Sequence, residues 1–293
     1  MSEQSHTTNS KDNYNVLPVD EISPSRRGDL EASDVEMDGV GEQILSQNLE
    51  QYSPLIDAAH DFVKNQLGMV DVSDQSRVAV LSPKIAEQWG AESQGGSYMP
   101  EIDVAVVFES TDTRPKTAKI AMASGLVHEI AHSGSVSTEN ADLEHTFWHE
   151  AIAGLAEYFA LDNLSSAGEF TQPPDCIVKR DIDGREVSVV VPGSFRRVDA
   201  SEVIEGKADT TQALIAAMVV GIGLKINGKL ASETLASTRK GDDTGYLQLR
   251  EAVDAIEPGF ADFIDAQPKS STEDILKIAQ RAQQITGMDR SAA

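Results

Sequence analysis

The sequence predicts an α+β protein with a mixed amino-terminal lobe and a mostly helical carboxy-terminal lobe. Two kinds of observation support this fold class. Residues 102–108 read Ile-Asp-Val-Ala-Val-Val-Phe, an apolar and β-branched run that is typical of a strand. Apolar residues also recur at helical spacing in longer segments on either side of this run, which indicates helices that each bury one face.

Composition divides the chain into three parts. Residues 1–41 are rich in Ser, Asn, Asp and Glu and poor in apolar side chains. They cannot bury enough surface to offset the entropy lost on ordering, so we expect a disordered acidic tail rather than an inhibitory pro-segment or a docking arm. Residues 42–165 are predicted to form the lobe that carries the sheet, and residues 166–293 the mostly helical lobe with one β-hairpin.

The first ordered elements follow from start and stop signals. Ser53-Pro54 is typical of a helix start, because Pro is tolerated in the first turn, and Gly68 is typical of a helix end. Residues 77–81 predict a short strand. Gly95-Gly96-Ser97 predicts a loop before the strong strand at 102–108.

Two long helices are predicted in the middle of the chain. The first has Pro115 in its opening turn and ends near Ser133. The second is capped by Thr138 or Asn140 and runs to about Leu161.

The carboxy-terminal part begins with a predicted hairpin at 177–191, built around the turn-forming pair Asp183-Gly184. Helices are predicted at 209–228, 246–256 and 275–285 from their apolar or amphipathic patterns.

Charge and composition exclude several function classes. The net charge is −24, which repels nucleic acids and anionic membrane surfaces, so we expect neither as a partner. The longest apolar run, residues 213–224, is too short to cross a bilayer. The first 30 residues contain no apolar signal segment, and the one cysteine, Cys176, allows no internal disulfide. These observations predict a cytoplasmic protein.

The residues that carry chemistry are His128-Glu129-Ile130-Ala131-His132, an H-E-x-x-H motif inside the first long predicted helix. Positions i and i+4 share one helix face, so both imidazoles can bind one ion. Imidazole nitrogens suit Zn²⁺, and the intervening Glu can act as general base towards a water molecule. The motif therefore predicts a zinc site.

A second piece strengthens this interpretation. His128-Glu129-Ile130-Ala131-His132 together with Glu150-Ala151-Ile152 resembles the gluzincin metallopeptidases of the peptidase MA clan. In that family a Glu on a second helix is the third zinc ligand, and Glu150 follows at a similar distance along the chain. The resemblance implies a zincin-like lobe, in which a small sheet accompanies an active-site helix and a Glu-bearing helix. It also implies that the strand at 102–108 is the edge strand that holds extended substrate.

The third ligand stays open, because thermolysin-like enzymes carry an Asp at the place of Gly154. Glu150 is preferred, and Glu157, His145 and His149 are alternatives. Glu157 can instead hydrogen-bond a ligand histidine, or be an ordinary surface residue.

The resemblance implies a zinc metallopeptidase, a hydrolase that cleaves a peptide or protein substrate. His128, His132 and Glu150 would bind Zn²⁺, and Glu129 would be the general base. Tyr246 is the best candidate for a donor to the oxyanion, with a buried structural tyrosine as the alternative.

Two other interpretations stay open. One is a catalytically inactive zinc-binding regulatory or scaffold protein with a peptidase-like fold. The other is a helical protein without metal. The intact Glu129 speaks against the first, because an inactive enzyme has no need for the base, and the second predicts that no zinc is bound.

Overall fold

The computed structural model describes residues 42–72, 77–82, 96–100, 103–110, 115–137, 143–167, 177–182, 185–190, 232–267, 277–278 and 281. The elements in chain order are α1 (Glu42–Asp61), β1 (Arg77–Leu81), β2 (Gly96–Met99), β3 (Val104–Phe108), α2 (Pro115–Ser133), α3 (Leu143–Ser166), β4 (Ile177–Ile182), β5 (Arg185–Val190), α4 (Thr244–Ile256) and α5 (Phe260–Ala266). A π-helical turn, Phe62–Gln66, continues α1, and a short helix spans 232–237. The described part is mostly helical with small sheets, which confirms the α+β class in this coarse form.

The larger sheet is mixed, with strand order β1-β3-β2. β3 pairs in parallel with β1, with Arg77 opposite Val104, and antiparallel with β2, with Gly96 opposite Val107. Every residue of β3 is buried, as the apolar run predicted.

The edge position differs from the prediction. β3 lies between two strands, so the expectation that residues 102–108 form the edge strand is wrong. Within the described sheet the edge strands are β1 and β2, and β2 includes Gly96 and Ser97, which were predicted to lie in a loop. Gly96 and Ser97 give the start of this strand little intrinsic β-propensity, and the pairing with β3 overrides it.

α2 and α3 pack against each other, and α2 also packs on β3 while α1 packs on β1. Helix α2 is therefore covered on several sides, and Leu126, Val127 and Ile130 are completely buried. Its bounds at Pro115 and Ser133 confirm the predicted helix. α3 begins at Leu143 and continues to Ser166, beyond the predicted end, and the proposed caps Thr138 and Asn140 lie outside the described residues.

α1 begins earlier than predicted, at Glu42, so Pro54 lies inside this helix rather than in its first turn. Tyr52, Leu55 and Ile56 around the proline are buried in the core. Their burial stabilises a helix that Pro54 by itself would interrupt.

The hairpin β4–β5 confirms the predicted one, with Ile182 opposite Arg185 on either side of residues 183–184. α4 begins at Thr244 and confirms the helix predicted at 246–256. The acidic tail at 1–41, Cys176 and the helix at 209–228 lie outside the described residues, as does most of 275–285. Among the helices that are described, none combines the length and the apolar character needed to cross a membrane. The division into lobes at residue 165 stays a prediction.

Candidate metal centre

Two packed helices position the candidate site. α2 carries His128, Glu129 and His132, and α3 carries Glu150 and Glu157. On α2, the i and i+4 spacing places both imidazoles on one face. On α3, Glu150 and Glu157 are about two turns apart and therefore lie along the same side of the helix.

His128, His132 and Glu150 form a cluster whose ligand atoms all lie within 4.8 Å of one another. The two imidazole Nε2 atoms are 3.2 Å apart. Glu150 spans both rings, with Oε2 3.3 Å from Nε2 of His128 and Oε1 3.4 Å from Nε2 of His132. In a tetrahedral site with bonds of roughly 2.0–2.1 Å, ligand atoms are about 3.3–3.4 Å apart. The three groups can therefore hold a divalent metal ion without large rearrangement.

The imidazoles and the carboxylates of the cluster stabilise each other's charged forms. Burial by itself would raise the pKa of Glu150, but the charge of His132 and hydrogen bonds from both imidazoles outweigh it, so the pKa is lowered. Burial by itself would lower the pKa of His128, but hydrogen bonds to Glu150 and Glu157 and the charge of Glu129 raise it well above its usual value. The carboxylates thus create a strongly cation-attracting environment, whether the cation is a proton or a metal.

Glu157 approaches the other nitrogen of His128. Its Oε2 atom lies 3.4 Å from Nδ1, and its side chain is 3% exposed. A carboxylate on this side of a ligand imidazole fixes the ring orientation and leaves Nε2 for the metal. This arrangement matches the supporting role considered for Glu157. His149 is buried next to Glu150 in sequence, and the side chain of His145 lies outside the described residues.

Glu129 is placed differently from the other acids. It is 6% exposed, and its Oε2 atom has no hydrogen-bond partner within the described part of the chain. Burial raises the pKa of Glu129 to about 7, and the nearby His128 and His132 lower it less than burial raises it. A carboxyl with such a pKa can both accept and release a proton near neutral pH, as a general base must.

Strand β2 lies along the face of α2 that carries Glu129 and His132. A β-carbon added to Gly96 would lie 2.7 Å from Oε1 of Glu129. Two residues further along, the ring of Tyr98 stacks on that of His132, with centroids 6.4 Å apart and an interplanar angle of 14°. Alternate residues of a strand share one face, so Gly96 and Tyr98 both face the motif.

Tyr98 belongs to a polar cluster that the sequence analysis missed. Its hydroxyl donates to Oδ1 of Asp103 at 2.6 Å, and Nζ of Lys240 donates to the same Oδ1 at 3.0 Å and to the Tyr98 hydroxyl at 3.1 Å. Lys240 is far away in sequence, and no local pattern connects it to the motif.

Tyr246 lies on α4 and packs edge-on against Trp148 of α3, with ring centroids 5.7 Å apart. Its hydroxyl accepts a hydrogen bond from Arg250 at 3.3 Å. Residues two apart on a helix project about 200° from each other, so Trp148 and Glu150 point to opposite sides of α3. The role of Tyr246 as an oxyanion donor stays a prediction.

Comparison with family models, with curated proteins and with solved structures found no match for this chain.

Proposed function

We propose that the protein is a zinc-dependent metallopeptidase of the gluzincin type with a zincin-like lobe. The observation that carries this proposal is the combination of a His128-His132-Glu150 cluster with the adjacent carboxylate of Glu129, whose buried Oε2 atom has no partner among the residues that the structure describes. A purely structural group of histidines and acids has no use for an orphaned carboxylate oxygen, which costs free energy to bury.

The donor set favours zinc over the alkaline-earth ions. Two imidazole nitrogens and one carboxylate are typical of catalytic zinc sites, whereas Ca²⁺ and Mg²⁺ prefer oxygen ligands. When bound, zinc would polarise the peptide carbonyl and lower the pKa of a water molecule. His128, His132 and Glu150 would hold the ion, and Glu157 would orient His128.

Glu129 would move the proton in the reaction. Its carboxylate takes a proton from the attacking water as the water oxygen adds to the peptide carbonyl carbon. It then delivers that proton to the leaving amine as the carbon–nitrogen bond breaks. A pKa near 7 suits both transfers, because the same group must be a base first and an acid afterwards.

A peptide substrate suits the sheet beside the site. β2 is at the edge of the described sheet, and it lies next to Glu129 and His132. An extended peptide can add to such an edge through backbone hydrogen bonds, which brings its carbonyl groups close to the base. β2, rather than β3, is the strand that we propose for substrate.

Metal analysis combined with a peptide-library digest tests the proposal. We expect about one zinc per chain, cleavage that a chelator abolishes, and recovery on adding zinc. Glu129→Gln should bind zinc as the wild-type chain does and lose hydrolysis. Full activity of Glu129→Gln would overturn the base assignment. Zinc binding without cleavage of any library peptide would favour the inactive regulator or scaffold.

A further inference from the structure

The Tyr98–Asp103–Lys240 cluster connects distant parts of the chain at the wall of the candidate site. Tyr98 is on β2, Asp103 is in the turn before β3, and Lys240 lies between the helix at 232–237 and α4. All three meet through hydrogen bonds of 2.6–3.1 Å, and the ammonium of Lys240 also lies 5.8 Å from the centre of the Tyr98 ring.

The hydrogen bonds fix the orientation of the Tyr98 hydroxyl. Its single proton points to Asp103, and its oxygen accepts a hydrogen bond from Lys240, so this hydroxyl has no proton left to donate to a substrate. Asp103 holds a left-handed backbone conformation with φ of 52°, the one non-glycine residue in the described part of the chain with positive φ. Such strain persists where the surrounding contacts enforce it.

The segment that carries Lys240 is itself anchored to two parts of the chain, the turn at Asp71 and the residues just past the end of α2. The backbone N–H of Lys240 donates to Oδ2 of Asp71 at 2.9 Å. Gly241 has φ of +77°, and a β-carbon there would lie 3.2 Å from the Oγ atom of Ser137, just beyond the end of α2. Lys240 is therefore held against the framework of the amino-terminal part rather than extended into solvent.

We propose that Lys240, together with Asp103, is a positioning residue that holds the Tyr98 ring against His132 and so sets the orientation of this candidate metal ligand. The segment around residue 240 is then a contribution of the carboxy-terminal part of the chain to the site. The contact with His132 stands on the geometry alone, and only its consequence for metal affinity rests on the proposed function.

The first measurement needs no metal. The ring current of Tyr98 shifts the carbon-bound imidazole protons of His132, which nuclear magnetic resonance of the metal-free protein detects after assignment with a His132→Gln variant. We expect Lys240→Met and Tyr98→Phe to move these resonances and Lys240→Arg to restore them in part, because Arg keeps the charge and can donate two hydrogen bonds. Arg239→Met is the matched control, because Arg239 is adjacent and, within the described part of the chain, its hydrogen bonds go only to the carbonyls of Ala236 and Thr238.

The second measurement is zinc affinity by competition with a chromogenic chelator, together with the visible absorption of the Co²⁺-loaded protein. We expect Lys240→Met and Tyr98→Phe each to weaken affinity by roughly 3- to 10-fold, less than the roughly 10- to 100-fold typical when a direct partner of a ligand is removed. The double variant should lose less than the sum of the two single variants, since both changes break the same three-residue cluster and share the Lys240–Tyr98 hydrogen bond.

The two measurements separate the possible failures. If Lys240→Met and Tyr98→Phe change the His132 resonances and the zinc affinity no more than the control Arg239→Met does, the positioning role is overturned. A protein that binds no metal, but whose His132 resonances move as expected, would overturn the proposed function and leave the positioning role intact. Thermal unfolding of each metal-free variant identifies any general loss of structure, and Tyr98→Phe keeps the ring packing if Lys240→Met fails to fold.

Discussion

A β-carbon added to Gly96 would lie 2.7 Å from Oε1 of Glu129, so the backbone of β2 rests directly against the carboxylate of the candidate general base. The same β-carbon would lie 2.4 Å from the carbonyl oxygen of Val106. Real β-carbons do not approach other atoms this closely, so position 96 can hold no larger residue without movement of the strand or of Glu129.

Replacing Gly96 with Ala should therefore disturb the site. We expect Gly96→Ala to lower peptide hydrolysis by at least about 10-fold, because small misplacements of a catalytic group are costly. Gly125→Ala on α2 is the control, since its β-carbon would be 3.6 Å from Val107, an ordinary contact. Ala also favours a helix by up to about 1 kcal/mol over Gly. Equal activity of the two variants would contradict the close contact at residue 96.

Glu129 should make the stability of the metal-free protein depend on pH. Its pKa is 4.5 when unfolded and about 7 when folded, so the folded state holds the proton more tightly. Its contribution to stability is complete below pH 4.5 and is lost as pH rises through about 7. Glu129→Gln lacks this titration. The unfolding free energy of the variant minus that of the wild type should therefore increase by up to about 3 kcal/mol from pH 4 to pH 8.

Urea denaturation of the wild type and the variant at both pH values measures this difference. Glu251→Gln, at an exposed position on α4, provides the matched control for the loss of a negative charge. A stability gain for Glu129→Gln that does not change between the two pH values would contradict the raised pKa.

The two α3 acids should affect zinc in different ways. Glu150→Ala removes the candidate third ligand and should abolish stoichiometric zinc binding. Glu157→Gln keeps the shape of the side chain but removes the carboxylate beside Nδ1 of His128, and it should weaken affinity by roughly 10- to 100-fold while one zinc per chain still binds at saturation. Metal analysis after dialysis and chelator competition distinguish the two results. An unchanged zinc stoichiometry in Glu150→Ala would show that another residue is the third ligand.

Zinc affinity should fall as the pH is lowered, and earlier than for an ordinary histidine site. A histidine binds zinc only in its neutral form, and the acids around His128 raise its pKa well above the usual value of 6.5. Protons therefore compete with the metal at a higher pH. Because Glu157 contributes to this raised pKa, Glu157→Gln should shift the onset of competition to lower pH. Dissociation constants measured between about pH 5 and pH 9 test the shift.

Local patterns were sufficient for the site helices and not for the strand beside them. The i and i+4 spacing of His128 and His132 could be read from the sequence because a helix fixes which residues share a face, whereas Glu150 was preferred because of the resemblance to the gluzincins. β2 was missed because Gly96 has little intrinsic preference for a strand, and its pairing partner β3 decides its structure.

Contacts between distant segments determine the other features that the sequence did not predict. Lys240 reaches Tyr98 and Asp103 only because the folded chain brings separate elements together, and no spacing in the sequence predicts these hydrogen bonds. Likewise, the start of α1 before Pro54 reflects burial of the residues around the proline, which overrides the usual preference of Pro for a first turn.

The candidate ligands are divided between α2 and α3, the two helices that also share an extensive packed interface. An ion bound there would join these helices as a cross-link does, and it would oppose their separation by a free energy that grows with the logarithm of the free metal concentration above the dissociation constant. The resistance of the chain to heat and to proteolysis should then rise with the concentration of free metal, so that depletion of the ion would lower the amount of folded protein.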